Sequence, residues 1–259
     1  MVDSTRRVRD LGELVRLLGP RSRPDVQWIS KVVGCTTEQA EAAVYDVATV
    51  AASVRELAAN IRATGRTYYA QFPAPIDLFA LMRLGRPKVA VESGVASGVS
   101  STFMLLGTEV NSKGTLHSID LPVTRERNRG GESWAIPSGL SSGWAVPSRL
   151  KDGWDLRTGR SEDLLVPLLG ELKFVDFYCH DSPVDLKHFQ FEMDTVGKHL
   201  RPGSLVVADN TDRGAFNRAA IAAGTREFYR RGSSLGAFRV PLADPLATVY
   251  ASKAGEVPP

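Results

Sequence analysis

Two sets of residues in this 259-residue chain have the types and spacing for chemistry. The first lies in VESGVASGVSST, residues 91–102. Gly94 and Gly98 follow an apolar run and precede a helical pattern, and Glu92 stands just before the first glycine. A glycine turn after a strand lets a ligand approach the backbone with no Cβ in the way. The spacing G-x-x-x-G is looser than the G-x-G-x-x-G that packs a pyrophosphate. A carboxylate at Glu92 would repel phosphates and suits a cation, such as the ammonium of an amino acid moiety. The second set is Asp181, Asp209 and Asn210, which end two further apolar runs. The aspartates are 28 positions apart (209 − 181), room for one helix and a return. Brought together without a cation, the carboxylates would repel. With a hard divalent cation between them, two carboxylates and an amide carbonyl make an oxygen site suited to Mg²⁺. Each residue alone also suits a helix cap; the three together favour the metal.

The elements that must position these residues follow from periodicity. Residues 1–75 read as a helical extension. In CTTEQAEAAVYDVATVAASVRELAANIRATG, apolar residues recur at steps of three and four from Ala40 to Ile61. Thr36 with Gln39 resembles a capping box, and Gly65 is a stop. From Pro87 short apolar runs alternate with helical ones. KVAVES, GTLHSIDLP, WDLRTGR, FVDFYCHD and SLVVADN predict five strands. Helices are expected over VSSTFMLLGTEV, over SEDLLVPLLGEL with Ser161 as a cap, from Leu186 to Leu200, and over 213–230. Strands separated by helices of this length imply parallel crossovers in a doubly wound sheet. GAFRVPL and LATVYASK, joined only by ADP, predict an antiparallel pair at the sheet edge.

Residues 121–153 show no clear element. They hold a short repeat, SWAIPSGL and then GWAVPSRL, ten residues apart. A loop this long is a lid, a substrate-facing segment or a structural excursion. Trp134 and Trp144 within it, and Tyr68, Tyr69 and Phe72, either line an aromatic or glycosidic pocket or belong to the core. The division expected is 1–75 for the helical extension, 76–253 for the main domain and 254–259 for a tail.

Totals exclude several classes. The formal charge of +3 is too small for a nucleic-acid partner, and no basic run tracks phosphates. No apolar run approaches the ~20 residues of a membrane span. Cys35 and Cys179 have no CxxC partner, which fits a reducing cytoplasm. Charges in MVDSTRRVRDLGELV interrupt what a signal peptide needs. The expectation is a cytoplasmic protein, with amphipathic N-terminal helices that suit a homo-oligomer surface.

VESGVASG resembles the first motif of class I S-adenosylmethionine-dependent methyltransferases, E/D-x-G-x-x-x-G. That family implies a Rossmann-like, mostly parallel seven-stranded sheet with an antiparallel C-terminal strand pair, here preceded by a helical cap. It implies S-adenosylmethionine as cofactor, with Glu92 and Gly94 at its methionine end and Gly98, Ser100 and Asp181 also among the cofactor-binding residues. Asp120, about 20 residues past the turn, is placed for the ribose hydroxyls. GRSEDLLVPL looks like the adenine-contacting turn, with Ser161 and Glu162 in the matching places. HDSP followed by VVADN is similar to the metal pair of catechol O-methyltransferases and of metal-dependent sugar O-methyltransferases. GWAVPSRLKDGWDLRTGRSEDLL looks closest to a bacterial small-molecule group that includes the macrocin type.

The resemblance thus implies Mg²⁺-assisted methyl transfer to a hydroxyl of a small molecule: a natural product, sugar or phenol. The sequence departs from the catechol enzymes where their lysine base would follow Asp181, because Ser182, Pro183 and Val184 stand there. Lys187, His180 and His188 are the nearby candidates for a base, beside Asp181 itself. The alternatives are a metal-dependent hydroxylase-like relative or a non-catalytic binder of adenosyl ligands. The missing third glycine and the Asp/Asn trio count against a nicotinamide dehydrogenase.

Overall fold

The computed structural model describes residues 4–65, 72–123, 135–182, 185–209 and 214–242. Its centre is one seven-stranded sheet. The strands are β1 (Val89–Ser93), β2 (Thr115–Asp120), β3 (Trp154–Thr158), β4 (Val175–His180), β5 (Leu200–Ala208), β6 (Phe228–Arg231) and β7 (Leu235–Arg239). Their order is β3-β2-β1-β4-β5-β7-β6. Strands β1 to β5 pair in parallel, and β7 runs antiparallel to both β5 and β6. This is the Rossmann-like sheet expected, with its antiparallel end.

Ten α-helices occur among the described residues. The first four, α1 (Ser4–Leu18), α2 (Val26–Val33), α3 (Thr37–Tyr45) and α4 (Ala51–Ala63), precede the sheet. Then come α5 (Pro75–Gly85), α6 (Val99–Asn111), α7 (Ser148–Lys151), α8 (Ser161–Leu172), α9 (Leu186–Gly197) and α10 (Gly214–Ala222). Alternation along the strands divides the core. On one face Ala90, Leu116, Phe177, Cys179, Leu205 and Val207 pack with α5, α6 and the N-terminal helices. On the other, Val91, Ile119, Tyr178, Val206 and Ala208 pack with α8, α9 and α10.

The N-terminal helices keep their apolar faces inside the chain. Leu14, Ile29, Val32, Val44, Val54 and Leu57 all join the first core. Asp25 caps α2 by accepting from the Trp28 amide at 2.9 Å. The Thr36–Gln39 capping box is present, with bonds of 2.9 and 3.2 Å. The helical run from residue 36 to 65 is broken, however, by a 3-10 stretch at Asp46–Val50. There Thr49 donates its hydroxyl to the Asp46 carbonyl at 2.6 Å, and the Asp46 carboxylate pairs with Arg83 at 2.8 Å. The apolar spacing hid the break, because a step of three also fits three residues per turn.

The C-terminal end differs from expectation. The helix expected over 213–230 ends at Ala222, past which Gly224 has φ +84 and the chain turns into β6. GAFRVPL supplies β7, but its partner is β6, one hairpin earlier than LATVYASK, which lies outside the described residues. Ser161 is not a cap either. It is the first residue of α8, whose capping position is Arg160. The described residues of the 121–153 stretch hold one short helix, α7, and Trp144 packs partly buried on the core. Phe72 is buried in the core, while Tyr68, Tyr69 and Trp134 lie outside the described residues.

A buried ion pair joins the N-terminal helices to the far sheet edge. Asp77, in the first turn of α5, is fully buried and pairs with Arg231 of β6. Both Asp77 oxygens also accept from the Asp25 amide, at 3.2 and 3.3 Å. Burial pushes the Asp77 carboxyl up to about 7, against the pull of Arg231. Removing one partner of such a pair leaves an uncompensated buried charge. Arg231→Met is therefore expected to lower unfolding free energy by about 3 kcal/mol, read from urea denaturation against wild type; an unchanged midpoint would contradict the pairing.

Candidate active site

Strand order reverses between β1 and β4, which makes the carboxyl end of β1 the switch point of the sheet. Four backbone hydrogen bonds carry the ladder one residue past the strand ends. Gly94 donates to the Ile119 carbonyl at 2.9 Å, Asp181 to Ser93 at 2.8 Å, Asp209 to His180 at 3.0 Å and Gly159 to Asp120 at 2.9 Å. Gly94, Asp181 and Asp209 therefore stand side by side on one edge, as parallel strand ends require.

Contact there is close. Gly94 has φ +89, and a Cβ on it would lie 2.2 Å from the Asp181 carbonyl oxygen. Only glycine allows β1 to end in this turn against β4. The turn keeps alternate residues in the left-handed region: Gly94, then Ala96 at φ +46, then Gly98 at φ +89. Gly98 precedes the first residue of α6, and Ser100 lies buried in that helix's first turn.

Four carboxylates gather around the turn, each in a different setting. Glu92 is fully buried beneath it. Its Oε2 accepts from Ser101 and Ser118, both at 2.7 Å, while Oε1 is buried without a hydrogen-bond partner. Burial raises this carboxyl to about 7, against the hydroxyls of Ser100, Ser101 and Ser118. Asp120 turns inward under the glycine turn. Its Oδ1 accepts from the Val95 amide at 2.9 Å and from the Ala96 amide at 3.4 Å, and its Oδ2 accepts from Ser142. Asp181 is half-buried at the end of β4. Burial, then the charges of Asp209, Glu92 and Asp120, push its carboxyl well above the usual range. Asp209 is half-buried just past β5, and Asn210, the third metal residue expected, lies outside the described residues.

The donor chemistry of this edge fits a hard cation. Burial and then the charge of Asp209 on the adjacent strand end raise the cost of ionising Asp181, and a divalent cation would reverse that cost. Among the described residues, no group of three or more His, Cys, Asp or Glu side chains is gathered in metal-ligand fashion. The pair Asp181 and Asp209 is thus what the described chain offers.

The candidate bases separate. Lys187 stands exposed in the first turn of α9, where its amide is capped by Asp185 at 2.8 Å. His180 is buried on the α9 face of β4. Its Nδ1 lies 2.7 Å from Glu192 Oε2, and its ring meets Phe189 edge-on. His188 lies 3.0 Å from Glu192 Oε1 through Nε2, and 3.2 Å from Glu162 Oε1 through Nδ1. The structure thus joins both histidines to Glu192: His180, the last residue of β4, turns its buried ring to the α9 face, and His188 lies half-buried on α9. Sequence reasoning missed the centre of this cluster, Glu192, a fully buried carboxylate that also accepts from Tyr178 and Ser182, both at 3.0 Å. The signal was an acid on the apolar stripe of Phe189, Met193 and Val196, one turn after a histidine.

The expected adenine turn belongs to the same cluster. Ser161 lies 3.3 Å from His188 Nε2, and Glu162 is exposed between Arg160 and His188.

Comparisons bear on this site. Residues 91–211, from β1 to just past β5, match the family model described as a methyltransferase domain. Among curated proteins none matches the chain significantly. Similar solved structures include the Streptomyces achromogenes O-methyltransferase involved in tomaymycin synthesis, solved with S-adenosylmethionine. It is 18% identical, with a TM-score of 0.49, covering 72% of this chain and 88% of that one. A Bacillus cereus O-methyltransferase, solved with S-adenosylhomocysteine, is 16% identical at a TM-score of 0.45, covering 87% and 99%. A Geobacter sulfurreducens methyltransferase is 16% identical at 0.48, covering 73% and 88%.

The histidine cluster makes a pH prediction. Burial opposes ionisation of Glu192, and hydrogen bonds from His180 and His188 overcome it, holding the carboxyl well below its usual range. The bond to Glu192 in turn raises His188 from 6.5 to about 9. A folded-state pKa above the unfolded one gives stability that is whole below 6.5 and lost as pH rises through about 9. In urea melts, the advantage of wild type over His188→Gln is expected to be greatest below pH 6.5, to fall as pH rises towards about 9 and to be lost above it. A constant difference across that range would contradict the charged pair.

Proposed function

We propose, from the match of residues 91–211 to a methyltransferase domain, that this chain is an S-adenosylmethionine-dependent O-methyltransferase acting on a hydroxyl of a small molecule, with Mg²⁺ or a similar divalent cation. The observation that carries this reading is the edge where the Gly94–Gly98 turn meets Asp181, with Asp120 beneath the turn and Asp209 on the next strand. The methyl leaves a positive sulfur without covalent help, so the protein's work is positioning.

The glycine turn gives the cofactor a backbone surface free of Cβ atoms. Glu92 supports that surface from below through Ser101 of α6 and Ser118 of β2. Its unpartnered Oε1 is the atom left for the ammonium of the methionine end. Asp120 serves the ribose, and Ser161 with Glu162, at the start of α8, serves the adenine. Asp181, Asp209 and Asn210 would hold the cation. Held there, such an ion would supply Lewis-acid chemistry that lowers the pKa of an acceptor hydroxyl. Of the candidate proton acceptors, Asp181 and Lys187 stand at this end of the sheet, whereas His180 and His188 are engaged by Glu192.

The acceptor is a small molecule, and no feature calls for nucleic acid. Among the described residues no helix is long and apolar enough to cross a membrane.

Calorimetry with S-adenosylhomocysteine, and turnover with labelled S-adenosylmethionine over a pool of small hydroxyl compounds, test the reading. Binding is expected, with a product heavier by one CH₂. Asp209→Ala should lower metal-dependent turnover by at least about 100-fold and leave cofactor binding nearly unchanged. A product heavier by one oxygen would indicate a hydroxylase, and full turnover of Asp209→Ala in chelator would remove the metal role.

A further inference from the structure

We infer that Ser142, in the loop between β2 and β3, belongs to the cofactor site, where it positions Asp120 for the ribose hydroxyls. This rests on the adenosyl-cofactor reading above and goes beyond it, because the loop then becomes a wall of the cofactor site.

The loop is seated on the glycine turn by its backbone. Gly143 donates to the Ala96 carbonyl at 2.8 Å, and Ala145 donates to the Ser97 carbonyl at 3.0 Å. Ala96 is the residue held at φ +46, so one of these bonds fixes the most strained point of the turn. Shape locks the two segments together. A Cβ on Gly98 would lie 2.3 Å from Val146 Cγ2, and one on Gly143 would lie 2.3 Å from the Trp154 ring. The indole of Trp154 in turn donates to Ser118 at 2.8 Å, the same hydroxyl that supports Glu92. From outside, α4 holds the loop. Asn60 donates to the Ala145 carbonyl at 3.1 Å, and Arg149 donates to Ser53.

Within this frame Ser142 is buried and donates its hydroxyl to Asp120 Oδ2. The other oxygen, Oδ1, is held by the Val95 and Ala96 amides. The carboxylate is thus fixed from both sides before any ribose arrives. A carboxylate oxygen accepts more than one hydrogen bond, and a serine hydroxyl keeps acceptor lone pairs after donating. Ribose hydroxyls can therefore meet Oδ2 and the Ser142 oxygen together. Preorganisation of this kind strengthens binding by lowering the cost of ordering the site.

Calorimetry on Ser142→Ala tests the inference with two ligands: S-adenosylhomocysteine and its analogue lacking the ribose hydroxyls. The Kd for S-adenosylhomocysteine is expected to rise about tenfold, while the analogue binds wild type and variant alike. Acceptor KM, measured at saturating cofactor, should stay unchanged. Ser142→Cys, close in volume and a poor donor, gives the same comparison where the alanine variant does not fold. An equal loss for both ligands, or no loss for either, would overturn the inference and leave the loop a structural support only. Absence of binding by wild type would instead overturn the cofactor reading itself.

Discussion

Everything at this site depends on the absence of one carbon atom. The end of β1 comes so near the end of β4 that a Cβ at Gly94 would overlap the Asp181 carbonyl. That approach joins two features that lie far apart in the chain. One is the turn that offers bare backbone; the other is a row of carboxylates on neighbouring strand ends. A parallel sheet supplies the row without special design, because parallel strands all end on the same side. The glycine adds the turn and sets its distance from the row.

The second constraint is electrostatic. Glu92, Asp120, Asp181 and Asp209 share one sheet edge, and nothing in the fold forbids their mutual repulsion. The structure answers each differently. Hydroxyls of Ser101 and Ser118 donate to Glu92; two amides and Ser142 donate to Asp120. Asp181 is left with a carboxyl raised by burial and by its neighbours' charges. On the opposite face of the sheet Glu192 shows the contrasting solution, a buried carboxylate kept ionised by two histidines. The difference between the faces is chemical. One gathers anions and suits a cation or its equivalent, and the other is complete within the protein.

Much of this was legible in the sequence. The five parallel strands carry period-two or fully apolar runs with acids or glycines at their ends, and the structure places Gly94, Asp120, Asp181 and Asp209 at those ends. Three features were not legible, each for a physical reason. The break at Asp46–Val50 preserves an apolar step of three, so periodicity cannot tell it from a continuous helix. Strand β6 reads as the tail of α10, because REFYRR has no alternation and its pairing with β7 is decided in three dimensions. The docking of residues 142–146 onto the glycine turn is made by backbone groups, which every sequence possesses. Side-chain identity announced only the glycines that such contact needs. His180 and His188 show what the sequence hides about a candidate base. Their type suggested proton transfer, but Glu192, hidden in an apolar stripe, decides what they do.

The most direct test is a crystal structure of the protein with S-adenosylhomocysteine and Mg²⁺. The account predicts the amino acid end of the ligand against the backbone of residues 94–98, its ribose on Asp120, and one ion bridging Asp181 and Asp209. A ligand bound elsewhere, with Asp181 and Asp209 sharing no density, would contradict it.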